Sequence, residues 1–314
     1  MLRGRLADLR GLVLATVVAI LIAVVALNVR PSYRPALLPT PDVQPALPLR
    51  AAFYYPWYPE AWQKERFFPY TEYTPAAGFY DSSDLAVIRK HIEALEYGHI
   101  EAGIISWWGV NSATDRRVPI ILSATPPSTL RWSIYYELES VADPTVNVIR
   151  DHLAYLGNRY GHDGSYLRID SRFVVFVYSD PRDDCGMVDR WTEANNLGAF
   201  IVLKAFDGSQ TCAVQPDAWH AYSPARDVIS VEDDSYTISP GFDKVGEAPR
   251  LTRDLERWQQ NVRDMVASGA TFQLITTFNE WPEGTAIEPA AEWATPSGFG
   301  AYLDVLHEYG EDEA

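Results

Sequence analysis

Eight short runs of apolar, aromatic and β-branched residues recur beyond position 50: AAFYY (51–55), AGIISWW (102–108), RWSIYYE (131–137), RFVVFVY (172–178), AFIVLKAF (199–206), AWHAY (218–222), SYTIS (235–239) and TFQLITTF (271–278). Those starting at 102, 172, 199 and 271 are almost continuously apolar, the pattern of parallel strands covered on both faces. Segments with helical spacing lie between several of them. Residues 83–98 open on a Ser/Asp cap and place Leu85, Ile88, Ile92 and Leu95 on one face. Residues 144–160 begin with a proline suited to a first turn and carry Val148, Leu153 and Leu156. Residues 252–268 open with Thr252, carry Leu255, Trp258, Val262, Met265 and Val266, and end before Gly269; residues 299–309 supply a last helix. The runs at 218 and 235 are the least distinct strands, with no clear helix between them.

Eight strands with interspersed helices over 264 residues predict a (β/α)8 TIM-type barrel. An open doubly wound sheet is the competing arrangement. A nucleotide-binding version of it would need a glycine-rich phosphate loop after the first strand, and AAFYYPWY contains none.

The N-terminal pattern is different. Residues 11–29 hold no charge and match the roughly 20 residues that cross a bilayer. Arg3, Arg5 and Arg10 precede them, which keeps residues 1–10 cytoplasmic and sends the remainder outward. This predicts a transmembrane signal-anchor and a membrane-tethered, extracytoplasmic domain. A cleaved signal peptide, with Val24 and Ala26 at a small-residue cleavage site, is the competing reading and gives a secreted domain. Residues 30–50 are rich in proline and lack either period, so they read as an extended spacer before a domain at 51–314.

Residues 51–314 carry 20 Lys+Arg against 40 Asp+Glu, a balance unfavourable for binding nucleic acid and better suited to a neutral substrate. Cys185 and Cys212 are the two cysteines, and in an exported domain they predict one disulfide. In a barrel they follow the fourth and fifth strands, on adjacent loops of one face. Their spacing does not suit zinc, and no metal or cofactor is expected.

Barrel chemistry gathers at the C-terminal ends of the strands. There the chain places Tyr55-Pro56-Trp57-Tyr58, then Trp107-Trp108, Glu137, Tyr178 with Asp180, Asp207, Tyr222, and finally Asn279, Glu280, Trp281 and Glu283. Aromatic faces with carboxylates and an amide suit sugar rings, which offer apolar C–H faces and polar edges. Pro282 and Gly284 keep Glu280 and Glu283 off a regular solvent-facing helix. Two carboxylates held close in a desolvated cleft cannot both ionise easily, so one becomes a general acid, as in many glycosidases.

Five stretches, FYYPWY (53–58), GFYDSSDLAVIRKHIEALEYG (78–98), GIISWWG (103–109), SPGFD (239–243) and FNEWPEGTAIEP (278–289), together resemble glycoside hydrolase family 99, the endo-α-mannosidases. The resemblance implies a barrel that cleaves internal α-mannosidic bonds with retention and without a cofactor. It implies Glu280 as the base towards the sugar's own 2-hydroxyl, giving a 1,2-anhydro sugar, and Glu283 as general acid/base. Asn279 would orient the sugar or Glu280, and Tyr222 would bond Glu280. Trp107 and Trp108 match aromatics of the donor-side subsites. Tyr54 and Trp57 belong with the same cleft, Glu137 with the substrate-binding residues, and Arg253 with a substrate-contacting arginine. Two departures mark the pocket: Pro282 stands where the family commonly has His, and VYSDPRDDC lacks the expected aromatic and His pattern. A non-catalytic carbohydrate-binding barrel and a polysaccharide-assembly protein with glycosyl-transfer activity are the alternative functions.

Overall fold

The computed structural model describes residues 43–64, 66–126 and 130–310, and residues from Val43 onward form one compact unit. The expected membrane span at 11–29 lies outside the described residues, among which no helix is long and apolar enough to cross a membrane. The unit starts before the expected boundary at 51. Gln44 already accepts a hydrogen bond from the Arg168 amide (2.9 Å), and the first strand begins at Leu49.

All eight expected runs are strands of one parallel sheet. In chain order these are β1 (Leu49–Tyr54), β2 (Ala102–Trp107), β3 (Arg131–Tyr136), β5 (Arg172–Val177), β6 (Phe200–Lys204), β7 (Ala218–His220), β9 (Ser235–Ile238) and β10 (Phe272–Ile275). Two short strands, β4 (Arg168–Ile169) and β8 (Val228–Val231), add antiparallel hairpins to β5 and β9. The parallel order is β7-β6-β5-β3-β2-β1-β10-β9, so chain neighbours are spatial neighbours except where β10 meets β1. That pairing, with Leu49 opposite Phe272, is the wrap-around of a barrel. The last gap, between β7 and β9, is bridged by side chains. Ser235 Oγ accepts from the Ala221 amide (3.2 Å), Thr237 Oγ1 donates to the Ala221 carbonyl (2.8 Å), and Asp234 accepts from the Trp219 amide (3.0 Å). Polar side chains there satisfy backbone groups that an open edge would expose.

Helices α1 (Leu85–Tyr97), α2 (Ala113–Ala124), α3 (Val146–Arg159), α4 (Cys185–Ala194), α5 (Leu255–Ala267) and α6 (Ala301–Tyr309) cover the barrel. Five start on a side-chain cap: Asp84, Ser112, Thr145, Asp184 and Asp254 each accept from an amide of the first turn. Each such cap contributes about 1 kcal/mol. Helices α2 and α4 have no counterpart in the sequence reading. In α2 the first half of the inward face is Thr114, Asp115 and Arg117, the helix contains Pro119, and only Val118, Ile121 and Leu122 are left as an apolar stripe too short to mark it. Conversely, Leu85, Val148 and Leu255 were expected on the buried faces of their helices and are 40–43% exposed. Each lies in a first turn, at the edge of the layer its helix covers.

Along every strand the side chains alternate. Phe53, Tyr135, Phe176, Val202 and Phe272 fill the barrel, while Tyr54, Ile105, Trp107, Trp132 and Tyr136 pack outward beneath the helices. Phe53 touches the rings of Tyr135 (4.8 Å between centroids) and Tyr222 (4.9 Å), and Phe176 meets Phe272 at 5.3 Å. Burying each such ring contributes about 2–3 kcal/mol. This layer is the floor on which the cleft stands.

Candidate active site

A cleft of about 430 Å³ opens at the C-terminal ends of the strands. The strand ends and the residues that follow them supply its lining: Tyr55, Trp57, Trp108, Glu137, Tyr178 and Lys204 in succession, then Tyr222, Glu280 and Glu283. Beneath it His220 is fully buried, with Nε2 3.3 Å from the Tyr135 hydroxyl; burial lowers its pKa to about 3 and keeps the ring neutral.

The segment carrying Glu280 and Glu283 is bonded to itself. The Glu280 amide donates to Thr277 Oγ1 (2.8 Å), which pairs with Thr285 Oγ1 (2.9 Å), and the Gly284 amide donates to the Trp281 carbonyl (3.0 Å). Residues 281–283 form one 3₁₀ turn ended by Gly284 at φ +64°. A Cβ at 284 would lie 2.3 Å from the Asp243 carbonyl oxygen, so this position requires glycine both for its dihedral and for the approach of residue 243. The Asp243 amide donates to the Glu283 carbonyl (2.9 Å), docking the SPGFD segment against the turn.

Glu280 is 6% exposed, and its Oε2 accepts from the Tyr222 hydroxyl at 3.1 Å; that hydroxyl also pairs with Tyr55 OH at 2.7 Å. Burial drives the Glu280 pKa well above the ordinary carboxylate value, and repulsion from Glu283 adds to it, while the Tyr222 bond opposes the rise. Glu283 is half-buried and also raised, again through burial, with Lys244 and Arg250 opposing. Glu137 is a third carboxylate. It accepts from Ser106 Oγ (2.8 Å), which in turn accepts from the Trp57 indole (3.0 Å). Burial raises Glu137 to about 8 against the Ser106 bond and the charge of Lys204. Lys204 donates to the Ser179 carbonyl (3.0 Å), lies 4.0 Å over the Tyr178 ring, and is lowered to about 8 by burial. Burial thus disfavours the charged form of all three carboxylates, and Lys204 adds a positive group among them.

Glu137 gives a stability prediction with a definite sign. A carboxyl whose folded pKa is about 8 against 4.5 unfolded contributes stability that is full below pH 4.5 and is lost as pH rises to about 8. Glu137→Gln removes that dependence. The variant is expected to melt close to wild type near pH 4.5 and at least about 3 °C above it at pH 8. Parallel melting curves at the two pH values check it; a constant difference would show that folding does not raise the Glu137 pKa.

Comparison with known proteins adds to this geometry. The family model for glycosyl hydrolase family 99 matches residues 58–193. The barrel is family 99-like. Rat glycoprotein endo-alpha-1,2-mannosidase (Rattus norvegicus) is 22% identical over 304 residues, covering 77% of this chain and 63% of the relative. The mouse enzyme (Mus musculus) is 23% identical over 288 residues, covering 74% and 60%. The chain thus spans about three fifths of the length of these curated relatives. Among solved structures, the GH99 endo-alpha-mannosidase from Bacteroides thetaiotaomicron superposes with a TM-score of 0.61 at 18% identity, covering 84% of this chain and 96% of that one. A glycoside hydrolase-like protein gives 0.63 at 14% identity, covering 88% and 97%. The solved structures establish the shared fold, and the family-model match ends before the turn at 280–283.

In this family 99-like barrel, six of the residues expected from sequence line the cleft: Trp57, Trp108, Glu137, Tyr222, Glu280 and Glu283. Four are placed elsewhere. Tyr54 and Trp107 point outward because each precedes an inward residue by one position. The Tyr54 hydroxyl meets His91 Nδ1 (2.9 Å), and the Trp107 indole donates to buried Asp115 (2.8 Å). Asn279 is fully buried and spends its amide on protein: Oδ1 accepts from the Tyr55 amide (2.7 Å), and Nδ2 donates to the Tyr55 carbonyl (3.2 Å) and Tyr80 OH (3.3 Å). It orients the segment and leaves nothing for a ligand. Arg253 donates to the carbonyls of Gly284 (2.9 Å) and Ala286 (2.6 Å), and its guanidinium lies between the rings of Tyr73, Trp293 and Tyr302 at 4.2–4.8 Å. It is a clamp behind the turn.

Tyr55 and Tyr178, read from the sequence only as strand-end residues, also line the cleft; Tyr135 and Lys204 line it without having been singled out, and Phe242 and Arg250 join them from the loop after β9. Tyr135 and Lys204 were accessible to a stricter use of the two-residue period, counted from Glu137 and Val202. The Cys185–Cys212 disulfide is present, joining the first residue of α4 to the loop after β6. Neither cysteine lines the cleft.

Proposed function

We propose that the chain is a membrane-anchored, extracytoplasmic, retaining endo-glycosidase acting on internal α-mannosidic or similar α-glycosidic bonds. The observation that carries this reading is the Glu280–Glu283 turn, held rigidly at the mouth of an aromatic cleft on a family 99-like barrel. Trp57, Trp108 and Tyr178 offer ring faces to the C–H surfaces of sugars, and the carboxyls offer donors and acceptors to hydroxyls. The −20 formal charge of residues 51–314 supports a neutral glycan over a polyanion.

In the proposed reaction Glu280 takes the proton of the sugar 2-hydroxyl as that oxygen attacks C1, while Glu283 protonates the departing glycosidic oxygen. The 1,2-anhydro sugar so formed is opened at C1 by water. Ionised Glu283 removes the water proton, and Glu280 returns its proton to O2. Two displacements at C1 give net retention. An alcohol is far less acidic than a carboxylic acid, so Glu280 can act only in concert with C–O cleavage. A high Glu280 pKa makes it the stronger base once ionised, and the Tyr222 bond favours the ionised form. Tyr222→Phe is therefore expected to move the acidic limb of the kcat/KM profile up by about one pH unit. An unmoved limb with a raised KM and unchanged kcat would place Tyr222 in substrate contact only.

The direct test is incubation of the full chain with a panel of α-mannans and α-mannosyl oligosaccharides, with products separated by chromatography. Release of oligosaccharides is the expected result. Saturable binding without release would replace this reading by the carbohydrate-binding one.

A further inference from the structure

The FNEWPEGTAIEP motif contains a third glutamate, Glu288, which takes no part in the proposed reaction. It is 2% exposed and receives three hydrogen bonds on one carboxylate: from Tyr80 OH (2.7 Å), the Trp281 indole (2.9 Å) and His91 Nε2 (3.0 Å). The first two partners are donors, and His91 completes the set as a donor if its proton is on Nε2. The Tyr54 hydroxyl, 2.9 Å from Nδ1, supplies the matching donor to the other ring nitrogen. The tautomer of His91 is thereby set from both sides.

We propose that Glu288 is a positioning residue for the Glu280–Glu283 turn, acting through the Trp281 indole. This rests on the reading of the turn as the catalytic element. Trp281 lies between the two glutamates, is fully buried, and has its ring stacked on Trp293 (6.0 Å between centroids, 13° between planes). Its backbone amide donates to Tyr58 OH (3.1 Å), which donates to the Asn279 carbonyl (2.8 Å). Tyr80 OH also accepts from Asn279 Nδ2 and from the Trp281 indole, both at 3.3 Å. The polar groups flanking Glu280 are thus tied to a shell whose acceptor is Glu288 and whose far wall is α1. A carboxylate is the one side chain that accepts from all three donors without presenting a donor of its own. Charge-assisted bonds to it in a buried site are roughly twice as strong as neutral ones. An outer shell of this kind holds reacting groups to the small tolerances that catalysis needs.

The test is Glu288→Gln in the full chain, which keeps volume but opposes an amide N–H to an indole or imidazole N–H. Hydrogen exchange read by mass spectrometry is expected to show amides of 279–285 exchanging at least about 10-fold faster, with β2 and β3 unchanged. On an α-mannosyl oligosaccharide, kcat is expected to fall at least about 10-fold with KM within about threefold. Trp281→Phe, which removes the indole donor and keeps an aromatic ring, is expected to reproduce the local exchange. Combined with Glu288→Gln it should add less than its separate effect, because the two share the Trp281–Glu288 bond. Unchanged exchange in the turn, uniformly faster exchange over the whole barrel, or additive effects of the two substitutions would each overturn the proposal. Should Glu288→Gln fail to fold, Trp281→Phe carries the exchange measurement alone. The exchange result does not depend on turnover, so an absence of hydrolysis in wild type would count against the glycosidase reading and not against the positioning role.

Discussion

Glu283→Gln is expected to lower kcat on an unactivated α-mannoside by about 10²- to 10⁴-fold, the range that a general acid/base supplies. Folding should be nearly unaffected, with Tm within about 2 °C of wild type. Glu283 is half-buried, and the bond that anchors it to the rest of the fold is made by its backbone carbonyl to the Asp243 amide, which the substitution leaves in place. The loss should depend on the leaving group. An aryl glycoside with an acidic phenol needs no proton to depart and should recover part of the first step. The same loss on both substrates would mean that Glu283 acts by charge alone, and full activity would remove it from the reaction. Steady-state kinetics on the two substrate types, with melting curves as the control, decides among these results.

The second large effect is on stability. Cys185 and Cys212 close a loop of sequence separation 27, and removing such a cross-link costs about 3–4 kcal/mol through the entropy regained by the unfolded chain. For a domain of this size that corresponds to a fall in Tm of roughly 6–15 °C. The double Cys→Ser variant and the reduced wild-type protein should fall together. Turnover at 25 °C should change little, because neither cysteine lines the cleft. Equal Tm in oxidised and reduced protein would show that the loop is already restrained when unfolded.

The central strands were legible because they are buried on both faces, and four helices because one face of each is apolar. Apolar strands such as RFVVFVY announce themselves because a parallel barrel strand meets side chains inside and helices outside. The helix α2 was hidden because the first half of its inner face is polar and bonds the barrel residue Trp107 and tyrosines of the neighbouring helix α3 and its cap. Asp115 alone accepts from the Trp107 indole, the Tyr155 hydroxyl and the Tyr160 hydroxyl. A half-polar inner face cuts the periodic signal to one turn, at Val118, Ile121 and Leu122, and Pro119 weakens the propensity signal.

The site was legible to a similar degree and for a related reason. Residues at strand ends were recognisable, but in a strand the neighbouring position faces the opposite way. Tyr54 and Tyr55, and Trp107 and Trp108, divide cleanly between the helix layer and the cleft. Motif membership alone does not distinguish a residue that touches a ligand from one that holds its neighbour. Asn279 and Arg253 hold the turn from behind, as their hydrogen bonds to backbone groups show. Glu288 belongs to the same outer layer. Pro282, the departure within the motif, is buried in the 3₁₀ turn and is not among the residues that line the cleft.

The central claim is retaining, endo-acting hydrolysis of an α-glycan. It is tested most directly by following the full chain's reaction on an α-mannosyl oligosaccharide by proton NMR, reading the anomeric signal of the first released product before mutarotation. The account predicts an oligosaccharide product whose new reducing end appears first as the α anomer. A β anomer appearing first, or release of single sugars only, would contradict it.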